Sequence, residues 1–129
     1  MWRERALRVV LVLVGLFFTA AVYPVAMDLW HGYAEDTGDT MMMGLYLTLG
    51  IFLLLAVRNP SAHRSLIAFA AWSSFAHAVV MSSLAVRERY ASDRRGFLIG
   101  SAVLVVIGVA LLGLAPAKPS PAAAPPAAL

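Results

Sequence analysis

The sequence contains no cysteine and few charged residues. Without cysteine, the chain forms no disulfide, iron–sulfur cluster or thiolate zinc site. Only 13% of its 129 residues are charged and 61% are hydrophobic, whereas soluble domains have about 25% and about 45–50%. A chain of this length has too small an interior to bury that much apolar surface. The composition therefore excludes an ordinary soluble enzyme, a coiled coil and a disordered chain, and it predicts a membrane protein.

The excess of positive charge is small. Ten lysines and arginines face seven acidic residues, for a net charge of +3. Basic residues dispersed in this way do not form the surface that nucleic acids bind. Beside apolar segments they act as topology signals. We therefore expect the lipid bilayer, and no nucleic acid, as a partner.

Four segments contain no charged residue, and together they hold 80 of the 129 residues. A helix needs roughly 17–25 residues to cross about 30 Å of hydrocarbon, so each segment is long enough. The apolar runs are continuous rather than alternating, and strands with open edges do not occur in lipid. The sequence predicts an all-α, membrane-embedded four-helix bundle. The four segments are residues 9–27, 41–57, 65–86 and 96–117.

The segment ends carry helix signals. Asn59 is a good N-cap residue and Pro60 suits a first helical position, which predicts a tight antiparallel hairpin between the second and third spans. From Ala115 onward the sequence is rich in proline and alanine, which predicts the end of the fourth helix and a disordered tail. We expect one transmembrane domain over residues 1–115 and this tail over 116–129.

The N-terminus admits two interpretations. Three arginines precede the first apolar segment, and Thr19-Ala20-Ala21 resembles a weak signal-peptide cleavage site. The hydrophobic character continues beyond that site to Met27, which favours an uncleaved spanning helix.

The arginines also predict an orientation. They precede the first span, whereas the loop after it (residues 28–40) has acidic residues and no arginine, so the N-terminus is expected in the cytoplasm and this loop outside. The C-terminus then lies in the cytoplasm. Four arginines in residues 87–95 oppose this arrangement. We expect the first helix to dominate; a re-entrant third segment or insertion in both orientations are the alternatives.

His77 is the most informative polar residue of the spans. It lies twelve residues after Ser65, roughly 18 Å along a helix and thus near the middle of the membrane. Ser73 and Ser74 share its side of the helix. An ionisable group at this depth suits proton relay, ligand binding or haem ligation. The alternative is a neutral histidine that bonds to these serines or a neighbouring helix and holds the bundle together.

The first loop contains weaker metal-ligand patterns. Asp28, His31 and Glu35 share one face if the loop is helical, and the methionines at 41–43 offer sulfur to Cu(I). Neither spacing is specific. We therefore predict a solvated acidic loop and no metal site.

Several residues are placed for contact with the lipid interface. Arginines beside a span contact headgroups, and aromatic side chains at span ends lie at the same level. The predicted interface residues are Arg58, Arg64, Trp30 and Tyr33.

Small residues line one ridge of the third span and one of the fourth. Such residues let helix backbones approach closely. Packing within the bundle is their simplest use, and homodimerisation is the alternative. The predicted packing residues are Gly96, Gly100, Gly108, Ala70, Ala78 and Ser82.

Residues 44–81 resemble a bacterial family of small four-helix membrane proteins that is known only as a domain of unknown function. The resemblance rests on Arg58-Asn59-Pro60, on Arg64-Ser65-Leu66-Ile67, and on Trp72-Ser73-Ser74 followed by His77. It implies a small protein of the bacterial inner membrane. It implies no activity, cofactor or partner.

The chain lacks the residue sets that enzymes need. We find no nucleophile–base–acid set, no phosphate loop and no zinc pair, so we expect no catalysis, no catalytic residue and no cofactor. The sequence favours a non-enzymatic accessory or oligomer-forming membrane protein that acts by helix packing. A small transporter or channel using the polar face around His77, and a haem- or copper-handling protein, are the alternatives.

Overall fold

The computed structural model describes residues 2–32, 37–87 and 90–117. Within these ranges all regular structure is helical and no strand occurs, so the all-α prediction is confirmed. The helices are α1 (Trp2–Thr19), α2 (Val22–His31), α3 (Thr37–Ala56), a 3₁₀ helix (Pro60–His63), α4 (Arg64–Ala85) and α5 (Arg94–Leu114).

Four helical segments are long and apolar enough to cross a membrane, as the charge-free segments predict. Only 22–28% of the most apolar window of each is buried inside the protein. The remaining apolar surface requires hydrocarbon around it. The four segments are Trp2–His31, Gly38–Ala56, Pro60–Ala85 and Arg94–Leu114.

The first span differs from the expected single helix because it is broken after Thr19 and resumes at Val22. Pro24 is the cause, since it has no N–H to donate to the carbonyl of Ala20. The Tyr23 N–H donates to that carbonyl instead, at 3.2 Å, one residue short of its α-helical partner. The proline thus shifts the hydrogen bonding of one turn and separates α1 from α2.

The spans pack most extensively as two pairs, α1 with α3 and α4 with α5. Smaller contacts of α1 with α5 and of α3 with α4 connect the two pairs. Leu11, Leu53, Ile67 and Leu111 are fully buried between the helices. Lipid tails are as apolar as leucine, so close packing and polar contacts, rather than burial from water, hold these helices together.

The connection between α3 and α4 begins at the predicted residues. Pro60 is the first residue of the 3₁₀ helix and Asn59 occupies the N-cap position, but the asparagine side chain makes no cap bond. The Asn59 carbonyl accepts the Ala62 N–H at 3.1 Å. The last helix, α5, stops at Leu114, beside the predicted Ala115. Residues 118–129 of the predicted tail lie outside the described residues.

Candidate functional site

His77 on α4 is hydrogen-bonded to Tyr46 on α3. The Nδ1 atom of His77 lies 2.8 Å from the Tyr46 hydroxyl, and the two ring centroids are 5.3 Å apart. In the neutral tautomer with the proton on Nε2, the hydroxyl donates to Nδ1. The pair therefore satisfies two polar groups inside the membrane-spanning region and connects the two helix pairs.

A third helix contributes an aromatic ring to this site. The ring of Phe18 on α1 meets the Tyr46 ring edge-on, with centroids 4.9 Å apart at 65°. Asp39 lies two turns before Tyr46 on the same face of α3. Three helices thus position the candidate site.

The structure does not bring the two predicted serines to His77. The hydroxyls of Ser73 and Ser74 both donate to the Ala70 carbonyl of their own helix, at 3.2 and 2.7 Å. Bonds of this kind satisfy a hydroxyl locally. Tyr46, which the sequence analysis missed, takes the place of the serines. The sequence signal that could have identified Tyr46 is its phenolic hydroxyl in a charge-free span, because such a group requires a hydrogen-bond partner when buried.

A second polar contact joins α4 and α5. Ser101 donates to the Ala78 carbonyl at 2.6 Å, and its oxygen lies 2.6 Å from the oxygen of Ser82. Because Ser101 has a single proton, the Ser82 hydroxyl is the donor in the second bond. These bonds lie at the most extensive helix contact of the protein.

The glycines of α5 differ in their surroundings. A methyl group on Gly100 would lie 2.7 Å from the end of the Met81 side chain, and one on Gly108 would lie 2.6 Å from the Phe75 ring. On Gly96 it would meet nothing within 4 Å. Among the other predicted packing residues, Ala70 and Ala78 are buried and Ser82 is exposed.

The backbones of α1 and α3 approach each other closely at Gly50, which the sequence analysis did not single out. A methyl group on Gly50 would lie 2.7 Å from the Thr19 nitrogen and 2.8 Å from the Gly15 carbonyl oxygen. Only a Cα hydrogen fits between these backbones, as in other close helix contacts. Gly15 and Gly50 each lie in a charge-free segment, and these glycines are the sequence signal that could have predicted the contact.

Three of the four predicted interface residues are described, and they lie at or beside helix ends. Arg58 is exposed and Arg64 is partly buried, while Trp30 at the end of α2 is 86% exposed. Tyr33 lies outside the described residues. Exposed aromatic and cationic side chains at the span ends suit the headgroup region.

Asp28 and His31, two residues of the weak metal-ligand pattern, each make a hydrogen bond to another group. Asp28 accepts a hydrogen bond from the Thr40 hydroxyl at 3.0 Å, and His31 Nδ1 donates to the Met27 carbonyl at 3.1 Å. Glu35 lies outside the described residues. Among residues 2–32, 37–87 and 90–117, no three histidine or acidic side chains are arranged to hold a metal ion.

The chain matches a protein-family model described as "Family of unknown function (DUF6632)" over residues 3–123. Because the match covers nearly the whole sequence, the chain belongs to this family, as the resemblance predicted. No curated protein and no solved structure matches the chain.

Proposed function

We propose that the chain is a non-enzymatic membrane protein that acts by helix packing and associates with further copies of itself. The observation that carries this proposal is that polar side chains on its membrane-spanning helices are hydrogen-bonded to one another across helix contacts. His77 pairs with Tyr46, and Ser101 pairs with Ser82. Polar groups used in this way hold helices together, whereas a catalytic group requires partners that converge on a substrate.

Outward-facing glycines offer surfaces for a second copy. A methyl group on Gly44, Gly96 or Gly113 would meet nothing within 4 Å, so these glycines have no packing role inside the chain. Glycines exposed on membrane helices let another helix approach. Gly100 and Gly108 already pack inside the chain and are not part of this surface.

The proposed location is the inner membrane of a bacterium, with both termini in the cytoplasm. Arg3 Nη2 donates to the Gly113 carbonyl at 3.1 Å, so the start of α1 and the end of α5 lie at one end of the protein. Five arginines of the described residues lie at this end, and arginine marks the cytoplasmic side. Reporter fusions after Lys118 and after Glu35 test this orientation.

The test of self-association is a count of copies in lipid. The full chain, labelled with one fluorophore, is reconstituted at low density, and photobleaching steps are counted per particle. We expect two or more copies, and fewer in Gly96→Leu than in the matched lipid-facing variant Val79→Leu. A monomer at every lipid-to-protein ratio would contradict the proposal.

The same purified protein tests the haem and copper alternative. Its absorption spectrum and metal content are measured before reconstitution. A Soret band or bound copper that disappears in His77→Ala would make the histidine a ligand and contradict the packing proposal.

A small proton-coupled transporter or channel is the second candidate. It is supported by the hydrogen bond between two ionisable side chains, His77 and Tyr46, in the membrane-spanning region. Groups linked in this way inside a membrane suit proton relay. This candidate predicts a pH-dependent flux in sealed liposomes that His77→Leu abolishes. Absence of flux under several ion gradients would eliminate it.

A further inference from the structure

Two arginines from distant parts of the sequence meet at the C-terminus of α5. Arg3 Nη2 donates to the carbonyls of Gly113 and Ala115, at 3.1 and 3.4 Å. Arg64 Nε donates to the Pro116 carbonyl at 2.9 Å. Gly113 lies in the last turn of α5, where carbonyls lack helical donors and carry partial negative charge, and Ala115 and Pro116 follow the helix. These hydrogen bonds hold both guanidinium groups in place.

The carbonyls do not neutralise these two cations. Each guanidinium has five N–H donors, and the bonds to α5 use only some of them. Glu4 is the one carboxylate at this end in the described part of the chain, and its Oε1 is already paired with Arg8 Nη2 at 2.9 Å. The corner formed by α1, α4 and α5 therefore keeps two positive charges and unused donors.

The corner lies near the ends of membrane-spanning segments. Arg3 is the second residue of the span Trp2–His31, Arg64 is the first residue of α4, and α5 ends at Leu114. Phosphate groups lie where the hydrocarbon ends, and arginine binds phosphate with parallel N–H donors.

We propose that Arg3 and Arg64, held by the carbonyls after α5, form a binding site for the phosphate of an anionic phospholipid. The site differs from general attraction between a basic surface and a membrane because its two guanidinium groups are fixed by hydrogen bonds. Arg5 at the same end and Arg95 at the start of α5 are exposed, so they provide the matched comparison.

The test measures lipid binding to the full chain in detergent by native mass spectrometry. Phosphatidylglycerol is titrated against phosphatidylcholine, for wild type, Arg3→Gln/Arg64→Gln and Arg5→Gln/Arg95→Gln. Both double variants remove the same charge. We expect wild type to prefer phosphatidylglycerol, the first variant to bind it about tenfold more weakly, and the second to bind it within about twofold of wild type.

Several results would overturn the site. They are equal binding of the two lipids by wild type, equal losses in the two double variants, and displacement of phosphatidylglycerol by inorganic phosphate at equal concentration. If the glutamine variant does not fold, Arg3→Lys/Arg64→Lys keeps the charge without the planar donor pair. It is expected to bind phosphatidylglycerol several-fold more weakly, and binding equal to wild type would refute the proposal.

Discussion

The Tyr46 hydroxyl on α3 is hydrogen-bonded to the Nδ1 atom of His77 on α4, and this bond connects the two helix pairs. Their 2.8 Å bond links α3 to α4 where little other packing connects these helices. A hydrogen bond between membrane helices contributes about 0.6 kcal/mol on average and up to about 1.7 kcal/mol. This bond is therefore expected to contribute measurably to the association of the two helix pairs.

Tyr46→Phe tests that contribution. The variant keeps the ring that Phe18 contacts but removes the hydroxyl, so His77 loses its partner. We expect a loss of about 1 kcal/mol in the free energy of unfolding, measured by denaturant titration in mixed micelles. Tyr23→Phe is the control, because Tyr23 is exposed on α2. Equal stabilities of the two variants would show that the bond contributes nothing.

Ser101→Ala tests the contact between α4 and α5. It leaves the Ala78 carbonyl and the Ser82 hydroxyl without this partner, and we expect a loss of about 1 kcal/mol in unfolding free energy. The matched variant Ser83→Ala removes an exposed hydroxyl that donates to its own helix at Val79 and should change stability little. A larger loss of stability in Ser83→Ala than in Ser101→Ala would contradict the role of Ser101 in holding α4 and α5 together.

Gly50→Ala is expected to separate α1 from α3. Its methyl group would lie under 3 Å from backbone atoms of Thr19 and Gly15, and backbone cannot move aside without displacing a helix. We expect a loss of about 1–3 kcal/mol, measured by thermal unfolding in detergent. Gly44→Ala is the control, since its methyl group meets nothing within 4 Å. A stable Gly50→Ala protein would refute the close approach.

Gly100→Ala should cost less than Gly50→Ala. The methyl group on Gly100 meets the end of the Met81 side chain, and methionine adopts other rotamers readily. We expect a loss below about 1 kcal/mol by the same thermal measurement. If Gly100→Ala lowered the stability more than Gly50→Ala, the expected ranking of the two substitutions would be wrong.

Pro24→Ala tests the cause of the break in the first span. Alanine at position 24 has the N–H that an α-helix directs to the Ala20 carbonyl, so we expect α1 and α2 to join into one helix. Hydrogen–deuterium exchange of the amides around residues 20–25 should then become slower. Pro60→Ala is the control, because a first helical position requires no N–H. Unchanged exchange in Pro24→Ala would assign the break to another cause.

Local sequence features predicted the helical elements well. The scarcity of charge within four long segments predicts their number, because hydrocarbon tolerates neither charges nor unpaired backbone groups. The start of the 3₁₀ helix at Pro60 and the end of α5 beside Ala115 also follow from local chemistry. The break at Thr19 was missed because the length of the apolar run was considered, and the missing N–H of Pro24 was not.

The partners of the side chains were decided by tertiary structure. His77 contacts Tyr46 rather than Ser73 or Ser74 because helix rotation and register bring a distant part of the chain to it. The same holds for Gly50 beside Gly15. Composition and apolar length by themselves determined that the chain has four helices suited to a membrane, since those properties depend on each segment alone. Which polar and small residues meet depends on how the helices pack, and only the tertiary structure decided it.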